Sequence, residues 1–242
     1  PVVGMLHGFR KPLKSIKVIR SKRTDKGHET NVETYDPKSR TWTIKVGDSA
    51  EAWSKAAGKL VVGKYSADFL VLDFSEIRPT GYRLKGYGRI SSGDTQISKA
   101  FVAIAEILSQ RADQLLTAID ILDIINHLGS ILSSRRSAQI AILENDHPEA
   151  AAFAAAKHNY WKVGNAHRRQ SNNSVVYHQK PSLMEIEEHL HLMLSYGGSE
   201  PGMINFQAAK KRAPWASGFN PCVTGDTWVM TTEGARLVRN LV

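Results

Sequence analysis

Cysteine is nearly missing from this chain: Cys222 is the single one among 242 residues. One thiol cannot close an internal disulfide, so the fold must stand on its core, and a reducing, cytoplasmic compartment is expected. Long hydrophobic runs are missing too. None approaches the roughly 18 residues that cross a bilayer, so no membrane partner is expected. There is no secretory signal and no initiator Met; the chain begins Pro1-Val2-Val3-Gly4, as a fragment would. Repeats, low-complexity tracts and flexible linkers are absent. What is there is ordinary for a soluble globular protein, 42% apolar and 23% charged, and long enough to bury a sizeable core.

Acidic residues fall short of basic ones, 23 against 32, for a formal net charge of +9. Much of the excess lies early, in Lys11, Lys14, Lys17, Arg20, Lys22, Arg23 and Lys26. Such a run can be a nucleic-acid patch, a surface facing nucleotide phosphates, or a solvated face. No aromatic residues interleave with it, which argues against single-strand binding. The reading adopted is a solvated face, with nucleic acid set aside as a partner.

Residues 1–45 read as basic and loop-rich. Alternation over 41–46 predicts a strand. Asp48 or Ser49 can cap a helix running through Trp53 to about Lys59. The apolar run 69–74 has the character of a buried strand. Pro79, Gly81, Gly86, Gly88 and Gly93 punctuate a long loop. Ile97, Phe101, Ile104 and Leu108 recur at helical spacing, as do Leu115, Ile119, Leu122 and Ile125 up to a stop at Gly129. Asp146 with Glu149, and Ser182 with Glu185, have capping-box spacing and open two further helices. Residues 175–177 read as a strand leaving a polar turn at 171–174. Alternation of strands and helices argues an α/β fold. His189 and His191 stand two apart on a predicted helix and share no face, so no metal site is assigned; all nine histidines are read as surface or structural.

Several blocks resemble, in order, the catalytic barrel of ribonucleotide reductases, particularly the adenosylcobalamin-dependent class. They are Val46-Gly47-Asp48-Ser49-Ala50-Glu51-Ala52-Trp53; then Asp73-Phe74-Ser75-Glu76-Ile77-Arg78-Pro79 with Gly81 and Leu84-Lys85-Gly86-Tyr87-Gly88; then Arg135-Arg136-Ser137-Ala138. Ser171-Asn172-Asn173-Ser174-Val175, Glu200-Pro201-Gly202-Met203-Ile204-Asn205 and Asn220-Pro221-Cys222 complete the series. The resemblance implies part of a ten-stranded α/β barrel with a finger loop at its centre. The domains implied are a basic lead-in over 1–45, a partial barrel over 46–221, and a separate segment over 222–242. Half a barrel cannot close, so open strand edges and poor solubility are expected of the isolated chain.

The resemblance also implies the chemistry. Reduction at a ribose 2′-carbon needs a radical, which adenosylcobalamin would start; the elements that bind it are not in this chain. Cys222 would be the thiyl position at the finger-loop tip, and Asn220 would hydrogen-bond the substrate ribose. Pro221 between them fixes its own φ and stiffens the loop. Ser171, Asn172 and Asn173 would face substrate, although the same residues also make ordinary turns. Arg135 and Arg136 match a loop that carries a deoxynucleotide effector signal; Ser133 and Ser134 stand where the family has glycines and a valine, and solvated arginines are the other reading. A ribonucleotide substrate, a deoxynucleotide effector and a thioredoxin-type reductant are the implied partners. The pattern then breaks, because residue 224 is Thr where the family carries a catalytic glutamate. As written, the chain should not reduce a nucleotide.

The break coincides with a second pattern. Residues 222–231 resemble the opening block of an intein, with Cys222 as the nucleophile that attacks the preceding carbonyl in an N-to-S acyl shift. Glu233-Gly234 supplies a turn and residues 235–242 resume an apolar strand, as in the first hairpin of that all-β fold. The Thr-x-x-His block and terminal His-Asn that splicing requires do not follow residue 222. Three readings result: a partial reductase ending inside an intein, an auto-processing precursor acting at Cys222, and a non-catalytic remnant that binds nucleotides or nucleic acid.

Overall fold

A computed structural model describes residues 5–84, 90–131, 139–197, 200–215, 228–231 and 234–237. The first sheet holds β1 (Ser15–Ile19), β2 (Val32–Asp36), β3 (Thr41–Lys45) and β4 (Phe69–Asp73), in the order β1-β4-β3-β2. β1 and β3 run parallel to β4, and β2 runs antiparallel to β3. Three strands therefore lie within the segment expected to be mostly loop, and two of them bond to β4. The strand predicted over 41–46 is β3; β1 and β2 are not predicted, and Val32 to Asp36 is too polar to read as a strand without its neighbours.

The helix α1 (Ala50–Val62) joins β3 to β4. The Ser49 side chain accepts from the Ala52 amide, and Gly63, at φ 54°, ends the helix in the left-handed conformation that glycine adopts without strain. Ala52, Ala56 and Leu60 recur every fourth residue and are buried, Ala56 and Leu60 in one core with the sheet residues. The next helix, α2 (Asp94–Gln110), buries Ile97, Phe101, Ile104 and Leu108, as its periodicity predicts. Phe101 meets Phe74 edge-on, with centroids 5.8 Å apart. Trp42, Ile44, Leu70 and Leu72 complete this core and are fully buried.

A capping box of Thr117 and Asp120 opens α3 (Ala118–Gly129), which ends at the expected glycine. Ile124 joins the first core, and Leu122 joins a smaller one with Phe153 and Ala156. This helix thus connects the first sheet to a second, whose strands β5 (Gln139–Glu144), β6 (Ser171–Tyr177) and β7 (Gly202–Asn205) are all parallel, in that order. Between β5 and β6 lie α4 (Ala150–Ala154) and a 3-10 turn, Ala166–Gln170. Helix α5 (Leu183–Tyr196) joins β6 to β7, and α6 (Phe206–Arg212) follows. The last element is the antiparallel hairpin of β8 (Trp228–Thr231) and β9 (Gly234–Leu237).

Ser182 and Glu185 form the expected capping box. Asp146 and Glu149 do not: α4 has no side-chain cap. The Glu149 carboxylate instead accepts from the Ala118 amide at 2.8 Å, capping α3 from 31 residues away. The polar turn expected at 171–174 is also corrected. All four residues are in β6, paired to β5 from Ser171↔Gln139 onward. The described elements form a mixed α/β fold built on two parallel-rich sheets.

Candidate active site

Ser171, Asn172 and Asn173 come together at the start of β6. Strand alternation sends Ser171 and Asn173 to one side, where both are buried, and leaves Asn172 exposed on the other. Asn126, fully buried in α3, meets Ser171. Its Nδ2 donates to Ser171 Oγ at 3.1 Å, and Ser171 Oγ donates to Asn173 Oδ1 at 2.8 Å. A hydroxyl has one hydrogen, so the relay runs one way at a time; turning both amides over reverses it. In either direction each Asn keeps one open group, here Asn126 Oδ1 and Asn173 Nδ2, both buried without a partner. Leaving such atoms unmet is costly unless a ligand or water meets them.

Lys157 and Glu200 flank this cluster. Lys157 Nζ donates to the Ser171 carbonyl at 2.5 Å and to both Glu200 oxygens at 3.0 and 2.9 Å. Glu200 Oε2 accepts from the Asn173 amide at 2.8 Å. The ion pair neutralises itself, so what the cluster offers a ligand is neutral hydrogen bonding, suited to hydroxyl groups. A cavity of about 350 Å³ lies between α3 and β5. Ile121, Leu122, Ile125 and Phe153 make its apolar wall, and Asn126, Gln139 and Ser171 its polar end.

Sequence reasoning missed Asn126, Lys157 and Glu200 as members of this cluster. Asn126 had a legible signal: it sits four residues after Leu122 on an apolar helix face. Lys157 had none. Arg135 and Arg136, expected in an effector loop, lie outside the described residues, as do Asn220 and Cys222, expected in a finger loop. Nor do the described residues gather three or more metal-ligating side chains.

The histidines that are tightly held have structural partners. The His189 Nε2 bonds the Pro201 carbonyl at 2.7 Å, so that nitrogen carries the hydrogen, and Nδ1 faces the Tyr177 hydroxyl at 3.3 Å. His167 and Arg168 both bond Asp123, whose carboxyl is held below its ordinary value by these partners against the opposing effect of burial. His127 stacks on His167 at 3.9 Å.

The early basic run is largely paired. Lys11, Lys14 and Arg40 converge on Asp68, Arg20 bonds Asp94, Arg23 bonds Glu76, and Lys26 bonds Glu29. Of the seven cations named from sequence, only Lys17 and Lys22 make no ion pair among the described residues. The pairing fixes these side chains but compensates only part of their charge, since Lys11, Lys14 and Arg40 share the single carboxylate of Asp68. No described helix is long and apolar enough to cross a membrane.

In fold, the chain is similar to a B12-dependent, class II ribonucleotide reductase known from a crystal structure. The TM-score is 0.54 at 23% identity, over 70% of this chain and 24% of that one. In sequence it is similar to the adenosylcobalamin-dependent ribonucleoside-triphosphate reductases of Lactobacillus gasseri, 29% identical over 191 residues, and of Lactobacillus leichmannii, 29% identical over 196. Each match covers 75% of this chain and 25% of the relative, so the chain spans about a quarter of their length. No protein-family model matches it.

Proposed function

We propose that this chain is a portion of an adenosylcobalamin-dependent ribonucleotide reductase, the whole enzyme converting ribonucleotides to deoxyribonucleotides by thiyl-radical chemistry. The observation that carries the reading is the likeness to reductases of that name across three quarters of the chain. The neutral relay of Asn126, Ser171 and Asn173 supports it. A ribose hydroxyl is both donor and acceptor and suits the open groups at Asn173 and Asn126. In this reading Asn172 stands at the exposed side of the same strand, Arg135 and Arg136 answer a deoxynucleotide effector, and Asn220 and Cys222 belong to the radical loop. A thioredoxin-type protein would supply electrons to the whole enzyme.

Adenosylcobalamin would start the radical. The cavity beside Ser171, about 350 Å³, is a size for a small ligand and not for a corrin. No described residue is therefore assigned to the cofactor, and with Thr224 in place of the glutamate the chain alone reduces no nucleotide.

The test is titration of the chain with CTP, followed by the side-chain amide signals of Asn173 and Asn126. Shifts that disappear in Ser171→Ala support a ribose-facing relay; signals unmoved at saturating CTP count against it. A second reading is supported by the β8–β9 hairpin, which falls where an intein's first hairpin is expected. There Cys222 would begin an acyl shift, and the open reading frame beyond Val242 would pass through a His-Asn-Cys junction. A stop codon soon after Val242 would remove splicing in cis.

A further inference from the structure

We propose that Lys157 and Glu200 act as a positioning pair that substitutes for a missing length of strand beside Ser171 and Asn173. The proposal rests on the reading of those two residues as substrate-facing.

On its β5 side, β6 is paired along Ser171 to Val176. On its β7 side, pairing begins only at Ser174↔Gly202. The Ser171 carbonyl and the Asn173 N–H come before that first pair, and each is met by a side chain and not by a strand. The chain before Gly202 cannot supply one. Pro201 has no N–H to donate, and its carbonyl is taken by His189 Nε2. Close approach is already used one residue later, where a Cβ on Gly202 would stand 2.7 Å from Ser174 Oγ.

Side chains take over instead. Lys157 donates to the Ser171 carbonyl, and Glu200 accepts from the Asn173 amide. The ammonium's three donors meet three acceptors: that carbonyl and both carboxylate oxygens. The carboxylate is thereby fixed before it reaches Asn173. Both backbone bonds are charge-assisted, and so are stronger than the ladder bonds they replace. They hold the two residues whose side chains make the relay with Asn126, so the pair sets where the open amide of Asn173 points.

The experiment uses the full chain with Lys157→Met and Glu200→Ala, and Lys157→Arg as the conservative variant. Amide hydrogen exchange is read at Asn173, across β5 and along α5. In both disruptive variants the Asn173 amide should exchange about tenfold faster, as expected for a lost charge-assisted bond. The amides of β5 and α5 should keep their wild-type rates, and Lys157→Arg should leave Asn173 protected. The CTP-induced shift of the Asn173 side-chain amide should shrink in the disruptive variants and persist in Lys157→Arg. Unchanged exchange at Asn173 overturns the proposal. Equal loosening of β5, β6 and α5 also overturns it, because the pair would then be a general stabiliser. If wild-type Asn173 ignores CTP while the exchange results hold, the substrate reading falls and the hold on β6 stands.

Discussion

Removing one oxygen from Ser171 should disturb two other side chains. In Ser171→Ala the Asn126 amide loses its acceptor and the Asn173 carbonyl oxygen its donor, both in a buried site. Each unmet group costs about 1–3 kcal/mol, so a loss of at least that order in the unfolding free energy from urea titration is expected. A change well below 1 kcal/mol would mean that water already serves the site. His127 gives a pH dependence. Burial first, and then the like charge of His167, lower its imidazole from 6.5 to about 4. The unfolded ring binds a proton near 6.5 and the folded ring only near 4, so the unfolded state holds more protons between those values. The stability tied to neutral His127 is therefore complete above the unfolded pKa and is lost as pH falls through that window. Thermal midpoints should fall on acidification across it, and His127→Gln should fall less steeply. An equally steep variant would assign the slope to other groups.

At the scale of elements, α5 and α2 contrast. The capping box of Ser182 and Glu185 opens a helix that buries only His189, while Leu183, Met184 and Leu194 remain exposed. Local capping therefore matters more here than packing. Ser182→Ala should cost about 1 kcal/mol, read as faster amide exchange confined to α5; a loss spread through both sheets would contradict that. Helix α2 depends on its core face. Phe101 is fully buried against Phe74, and Phe101→Ala should cost about 3–5 kcal/mol in global unfolding.

At the scale of the molecule, the two described sheets do not close on each other in strand order. Among the described residues their outer strands keep one unpaired edge each, which invites pairing between copies. The net charge of +9 opposes association by self-repulsion, and salt screens that repulsion. Sedimentation should show association that grows with protein concentration and with added salt. A monomer at all concentrations and salt levels would show that the edges are protected.

The sequence by itself determined the elements whose signals lie within one or two helical turns. A cap at Asp48 or Ser49, the Ser182–Glu185 box, the stop at Gly129, and the apolar periodicity of α2 were legible because cause and effect are neighbours in the chain. So was β4, a run apolar enough to need no partner to identify it. Tertiary structure decided the rest. It drew Ser171 to Ser174 out of a turn and into β6, because pairing with β5 outweighs the local preference of Ser and Asn. It turned Glu149 from a cap of its own helix into a cap for α3. It brought Asn126, Lys157 and Glu200 to one strand from positions 45, 14 and 27 residues from their partners. Such convergence leaves no periodic trace, because it depends on where whole elements pack and not on the residues between them.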